Sequence, residues 1–323
     1  MKSGPLRTLC RWLQKPFDRS SEQKVVLKVL AMATVTEESA KFEYSELLPD
    51  GALLDDLLRL LSEPTINDES RLQVLCVLSH LVLYGGLGAQ QLLGKNLEFL
   101  DVLLPLKNTR RNRYCLQSSL FLIHNLRLDM DDDPTVVVKY FKSFVERLIP
   151  EAAFVLKHPL WHSNFTTDKV AAGILKEACT LLQAFTDDSC QHHNGRHHRV
   201  AMIQAHDIVP MLLDIDQQIA EKFQRRRSSG SVLALEIGVL ETAALRLLLD
   251  LTSGSDATSA SVIHSGGSDL LAMFSARLCD DRSDIRSYIC NMIWNITGGT
   301  AAQCNFVAQA AQVVSSLRDL GSS

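Results

Sequence analysis

Six stretches of one pattern recur along this chain: "LKVLAMATVT" (27–36), "LQVLCVLSHL" (72–81), "LQSSLFLIHNL" (116–126), "LKEACTLLQAF" (175–185), "LETAALRLLLDL" (240–251) and "IRSYICNMIWNI" (285–296). In each, apolar residues return at i, i+3, i+4 and i+7, the spacing that gives an α-helix a wide greasy face. Equivalent ends at Leu81, Leu126, Phe185, Leu251 and Ile296 lie 45, 59, 66 and 45 residues apart, and residues 27 and 72 add another step of 45. Such a period belongs to stacked helical repeats, and the two longer steps place insertions near 129–166 and 187–231. One unit of this size cannot cover the apolar faces of all its helices and needs neighbours on both sides.

A second element recurs between those helices: "GALLDDLLRLLSEP", "KNLEFLDVLLPLKN", "HDIVPMLLDI" and "GGSDLLAMFSARLCDD". Each reads as an apolar helix opened by Gly or Asp, residues that break one helix or cap the next. A short third helix fits before some of them, as in "ATSASVIHSGG" (257–267). Strand signals are confined to Val136–Val138, behind the acidic turn of Asp131, Asp132 and Asp133, so the expected class is all-α.

With 46% hydrophobic residues the chain can build a continuous core, and a net charge of −4 gives no chain-wide attraction to nucleic acid or anionic membrane. The eight cysteines show no disulfide framework and no paired CxxC zinc spacing, and most lie in apolar segments where a thiol acts as a small hydrophobe. A reducing compartment is expected, the cytoplasm first and the nucleus second. No apolar run is long enough to span a bilayer. Residues 1–20 form a separate segment: Lys2, Arg7, Arg11 and Lys15 accompany Leu6, Leu9, Leu13 and Phe17, which share one helical face. It reads as an amphipathic cap on the array, with a mitochondrial presequence as the alternative.

The stretch "LETAALRLLLDLTSGSDATSASVIHSGGSDLLAMFSARLCDDRSDIRSYICNMIWNITGGTAAQCNFV" resembles armadillo repeats in its order of long helix, small polar turn, short helix ending in Gly266 and Gly267, second helix and acidic turn. Similar units extend over 21–320, and HEAT repeats are the second resemblance. The resemblance implies an all-α, right-handed α-solenoid of about six armadillo-like three-helix repeats. It also implies that the outward positions of the six quoted helices line a concave groove for a protein or an extended peptide.

In importin alpha and beta-catenin an asparagine recurs on that groove and clamps a peptide backbone; the aligned positions here are His80, Asn125, Ala184, Asp250 and Asn295. An amide both donates and accepts, so it can satisfy a peptide unit without reading its side chain. The tryptophans that precede those asparagines by one turn in importin alpha are replaced here by Cys76, Phe121, Lys176 or Leu181, Arg246 and Asn291. Trp294 sits about 100° around the helix from Asn295 and is expected in the core. Gly298 and Gly299, like Gly254 one unit earlier, are expected to close a helix in the left-handed conformation. The groove residues implied are Phe121 for apolar contact, Asn125, Asn291 and Asn295 for backbone, Arg246 for acids and Asp250 for bases.

"CQHHNGRHHR" gathers Cys190, His192, His193, His197 and His198, groups that suit zinc, but the spacing fits no closed site. A solvated loop before a short helix is expected, with metal binding through 190–198 as the alternative and no metal or other cofactor assigned. "QRRRSSGS" (224–231) offers Ser228 and Ser229 to a basic-directed kinase on an exposed linker. "KNTRRNRYC" (107–115) is a basic turn with no second basic or aromatic row, so nucleic acid is not the expected partner. There is no GxSxG, P-loop, HExxH or dinucleotide turn. The expected function is a non-catalytic scaffold or adaptor, with a nuclear-transport-type receptor for a basic signal as the rival; oligomeric state is not legible.

Overall fold

A computed structural model describes residues 25–29, 52–63, 66–84, 103, 112–125, 145–186, 195–223, 231–253, 256–308 and 315. Every regular element among them is helical. The chain divides into two compact units, Met1–Leu148 and Ile149–Ser323. The N-terminal segment, Ser228, Ser229, residues 107–111 and residues 131–133 lie outside the described residues.

In the first unit, α1 (Ala52–Ser62) packs on α2 (Asp68–Tyr84), and α2 packs on α3 (Arg113–Asn125). Asn67 opens α2 by accepting from the Ser70 amide at 2.9 Å, and Asn112 opens α3 by accepting from the Tyr114 amide at 2.9 Å. Each satisfies an amide that the start of a helix leaves without a partner. Cys115 Sγ donates to the Asp68 carbonyl at 3.4 Å, start against start, so α2 and α3 run side by side in one direction. Leu57, Leu60, Val74, Val77, Leu78, Leu120 and Leu122 form the fully buried core between them.

The second unit takes in most of α4 (Glu146–Lys157), then α5 (Pro159–His162), α6 (Lys169–Ala184), α7 (Gly195–Gln204), α8 (Val209–Phe223), α9 (Val232–Thr252), α10 (Asp256–Leu278), α11 (Ser283–Thr297) and α12 (Ala301–Ala308). The long helices α6, α9 and α11 pack side by side, with α9 in the middle; α8 packs on α9 and α10; α7 and α12 pack on α10. Helix α10 is two helices meeting at a corner. Gly267 has φ 47° and ψ −133°, a region open in practice to glycine alone. The three-helix unit read from the sequence is therefore present as α7, α8 and α9, and again as the two arms of α10 followed by α11. Helices α7 and α8 lie inside the span 187–231.

The glycines play different parts from those expected. Gly298 is right-handed, at φ −71° and ψ −10°, and Gly267 is the only described glycine with positive φ. Gly299 answers to space: a Cβ there would lie 2.7 Å from Asp256 Oδ1 and within contact distance of Gln303 Oε1. That closeness follows from Gln303, which donates to the Asp256 carbonyl at 2.8 Å and accepts from the Thr300 amide at 2.6 Å. Gly254 lies outside the described residues.

Behind α9 sits a buried cluster of charge. Arg277 on α10, 2% exposed, donates from Nε and Nη2 to Asp216 of α8 at 3.0 and 2.8 Å. Its Nη2 also lies 2.9 Å from Glu241 of α9, and its Nη1 lies 3.2 Å from Asp280. Arg282 reaches the same two acids at 2.7 and 3.2 Å. Three carboxylates thus share two guanidiniums. Burial, with Glu241 and Asp280 beside it, holds the Asp216 carboxyl above the usual carboxylate range against the pull of Arg277.

Arg277→Met strands those carboxylates and is expected to cost about 3–5 kcal/mol, read as a lowered urea midpoint of the full chain. A glycine pair supplies a contrast of sign. Gly238 lies inside α9 with open space around its Cβ position, so Gly238→Ala should raise the thermal midpoint, by up to about 1 kcal/mol of stability. Gly267→Ala should lower it by about 1–3 kcal/mol because its positive φ strains any residue that carries a Cβ, although the space there is open.

Candidate functional site

Helices α6, α9 and α11 form a parallel rack, tied part-way along and again near their ends. Lys176, midway along α6, reaches Glu236 of α9 at 3.5 Å, and Arg282, just before α11, reaches Glu241, midway along α9, at 2.7 Å. Near their ends, Thr186 donates to Asp250 Oδ2 at 3.0 Å, and Asn295 Nδ2 donates to Thr252 Oγ1 at 3.2 Å. The residue aligned with the groove asparagine thus bonds, in both cases, to the threonine two residues past the aligned position of the previous long helix.

The inward sides of the rack are apolar: Ile174, Leu175, Ala178 and Leu182 on α6, Leu240, Leu247 and Leu251 on α9, and Ile285, Ile289, Met292 and Ile296 on α11 are fully buried. On α9 and α11 the opposite sides are open, whereas α6 exposes only Lys169 and Ala184 at its ends and leaves Lys176, Thr180 and Gln183 half-buried. On α9 the exposed residues are Val232, Leu235, Val239 and Arg246, a stripe at i, i+3, i+7 and i+14. On α11 they include Ser287, Asn291 and Trp294.

Trp294 is the clearest departure from expectation. It is 77% exposed and does not pack in the core. The arc of Ile285, Ile289, Met292, Ile293 and Ile296 fills the buried side of α11, and at about 100° per residue position 294 falls on the far side, beside Asn291. Asn295, taken as the centre of the face, lies at its edge, half-buried toward α9.

The remaining sequence-derived positions divide clearly. Asn291 and Arg246 are exposed, and neither side chain makes a hydrogen bond or ion pair among the described residues. Asp250 is half-buried and held by the fold. At the position read as Lys176 or Leu181, Leu181 is in the core and Lys176 is half-buried, 2.9 Å from Glu177. In the first unit, Phe121 and Asn125 are both half-buried near the end of α3; Asn125 Nδ2 donates to the Phe121 carbonyl at 2.7 Å, and the Phe121 ring meets His124 edge-on with centroids 5.3 Å apart. Cys76 is half-buried on α2.

In "CQHHNGRHHR" the functional signal lies in the arginines. Helix α7 starts at Gly195, so His197 and His198 belong to its first turn and not to a loop, while Cys190, His192 and His193 lie outside the described residues. Arg196 Nε donates to the Thr186 carbonyl at 2.7 Å and its Nη2 donates to Ser253 Oγ. Arg199 Nε donates to the Phe185 carbonyl at 2.6 Å from a buried position. Both satisfy carbonyls that the end of α6 leaves free and place cations where the helix end is negative. Gln204 likewise satisfies a carbonyl at the end of α9, without a charge, donating to the Leu251 carbonyl at 3.3 Å. Among the described residues, no three His, Cys, Asp or Glu side chains gather as a metal set, and no helix is long and apolar enough to cross a membrane. Cys279 and Cys304 are exposed, unlike the buried Cys115 and Cys179.

Burial raises the Asp250 carboxyl above its ordinary range, opposed by the Thr186 and Gln183 hydrogen bonds and by the fields of Arg196 and Arg246. A carboxyl raised by folding contributes stability below its unfolded pKa, about 3.9, and loses it as pH climbs through the folded value. Asp250→Asn removes that titration. Its thermal midpoint relative to the parent chain should be highest at neutral pH and should decline toward pH 3, measured as a difference curve between the two proteins.

No protein-family model matches the sequence, and no curated protein does. Solved structures do match. A designed armadillo repeat protein is 12% identical, covering 89% of this chain and 98% of its own, with TM-score 0.57. Computationally designed armadillo repeat proteins for modular peptide recognition give TM-score 0.58 at 12% identity over 89% and 98%. A designed armadillo repeat protein in complex with the peptide (KR)4 gives 0.55 at 12% identity over the same shares. The chain has an armadillo-like helical repeat fold.

Proposed function

We propose that this chain is a non-catalytic scaffold that captures an extended segment of another protein on the open face of α9 and α11. The observation that carries the reading is Trp294: an indole 77% exposed on a rigid helix, flanked by the exposed Asn291. Exposing so large a ring leaves an apolar anchor waiting for a partner, and Trp is enriched among residues that dominate binding energy. Asn291 lies one turn from it and offers both a donor and an acceptor to a peptide backbone. Asn295 has committed Nδ2 to Thr252, and among the described residues its Oδ1 keeps the acceptor for a backbone amide.

The designed proteins of this fold described as recognising peptides support the reading. The rigidity of the rack supports it as well, since contacts held on packed helices cost little ordering when a segment docks. Phe121 and Asn125 would form a corresponding patch on α3 of the first unit, and Ser228 and Ser229 remain proposed sites of phosphorylation on the linker before α9.

A photo-crosslinking residue placed at 291 or 246 should capture partners from cell extract, while one at the exposed Ala276 on α10 should capture none of them. Trp294→Ala should weaken the captured complex by about tenfold to a hundredfold, corresponding to ~1–3 kcal/mol. Equal products from 276, or none from 291, would remove this face as the site.

A further inference from the structure

The charges of the rack are unevenly spent. Between the first and last turns of α6, α9 and α11, Lys176 is paired with Glu177 and Glu236, Glu241 lies in the cluster behind α9, and Arg286 donates to the Asp280 carbonyl. Arg246 is the cation beyond the first turns without a hydrogen bond or ion pair among the described residues, and the exposed Asp284, in the first turn of α11, is an acid without one. Asp250, one turn on, is the acid that could cancel it, but its carboxylate already takes the Thr186 hydroxyl and lies in the field of Arg196. Two guanidiniums therefore stand around one carboxylate, and the surplus is positive. The base-binding role that its position offers Asp250 is absorbed by the fold.

Geometry sets what can lie beside that charge. Position 246 of α9 and position 291 of α11 are equivalent by the 45-residue step, so Arg246 and Asn291 take corresponding exposed places on neighbouring parallel helices. Packed helices stand about 8–10 Å apart, and Trp294 is a further ~4.5 Å along α11. Arg246 and Trp294 are thus separated by about 10 Å, which an extended chain crosses in about three residues. Asn291 lies on the way and can hold the backbone while the flanking side chains turn to the guanidinium and the indole. The ring touches no other aromatic ring and no cation among the described residues, so its face is available.

Resting on the reading of this face as a capture surface, we infer that its ligand is an extended acidic peptide segment, with an Asp or Glu side chain on Arg246 and an apolar side chain about three residues away on Trp294. The bidentate fork of arginine matches a carboxylate, which a lysine-rich segment does not offer. The anchoring acid sits six residues, more than one and a half turns, before the end of α9 and so away from its negative end.

The test is selection of random twelve-residue peptides displayed on phage by the full chain, followed by anisotropy of labelled synthetic peptides. The selected sequences should share Asp or Glu with an apolar residue two to four positions away. Arg246→Glu should weaken them by about tenfold or more and, on reselection, exchange the acid for Lys or Arg, leaving the apolar position unchanged. Trp294→Ala should erase the apolar preference and keep the acid. A Lys- or Arg-rich consensus on the parent chain that still weakens in Asn291→Ala and Trp294→Ala overturns the acidic specificity and leaves the capture face standing. Failure to select any peptide, or a consensus indifferent to both variants, overturns the two together. A concentration-dependent dimer abolished by Trp294→Ala would assign the face to a second copy of the chain and overturn both as well.

Discussion

Helix α9 cannot hide its apolar sides against its sequence neighbours α8 and α10 alone. It packs against α6, α8, α10 and α11, so the four define its position together. Its Leu240, Leu247 and Leu251 are fully buried by that arrangement, and each buried leucine is worth about 1.5–3 kcal/mol relative to exposure. Once α9 is surrounded on those sides, one side remains. The open stripe of Val232, Leu235, Val239 and Arg246 is what the stacking leaves over, and the candidate site is built from that remainder.

Polar chemistry then fixes the register that apolar packing leaves loose. Hydrophobic contact is not directional, whereas Thr186 with Asp250, Thr252 with Asn295, and Arg282 with Glu241 admit one axial offset between neighbouring helices. The cluster around Arg277 ties α8, α9 and α10 in the same way. Buried charge of this kind contributes little net stability, since desolvation offsets the attraction, but any shift that separates Arg277 from its acids leaves charge buried and unpaired. The same satisfaction of internal charge is why one guanidinium on the open face stands out.

The period, the helix class and the three-helix order were legible because spacing of apolar residues is a local property, visible wherever a helix buries one face. The corner at "SGG" was legible for the same reason, although the glycine that turns it is Gly267, and Gly298 and Gly299 serve other ends. Trp294 was not, because its direction depends on the phase of the whole buried arc, and that phase was anchored on Asn295 in place of Ile285, Ile289 and Met292. The arginine cluster was illegible in principle: Asp216, Glu241 and Arg277 are scattered over three helices, and nothing in the sequence pairs them. Arg196 and Arg199 were visible but eclipsed by the histidines beside them.

The account's central claim is that the α9 and α11 face is bare in the free protein and covered when a partner segment docks. Fluorine NMR of the chain carrying fluorotryptophan, with Trp294 assigned by Trp294→Phe, reads that state directly in the presence of a soluble paramagnet. The Trp294 resonance should be broadened strongly in the free protein and protected once the segment is bound, while Trp161, buried at 4% exposure, stays sharp in both. A Trp294 signal already protected in the free chain, or one that a saturating segment leaves equally broadened, would contradict the account.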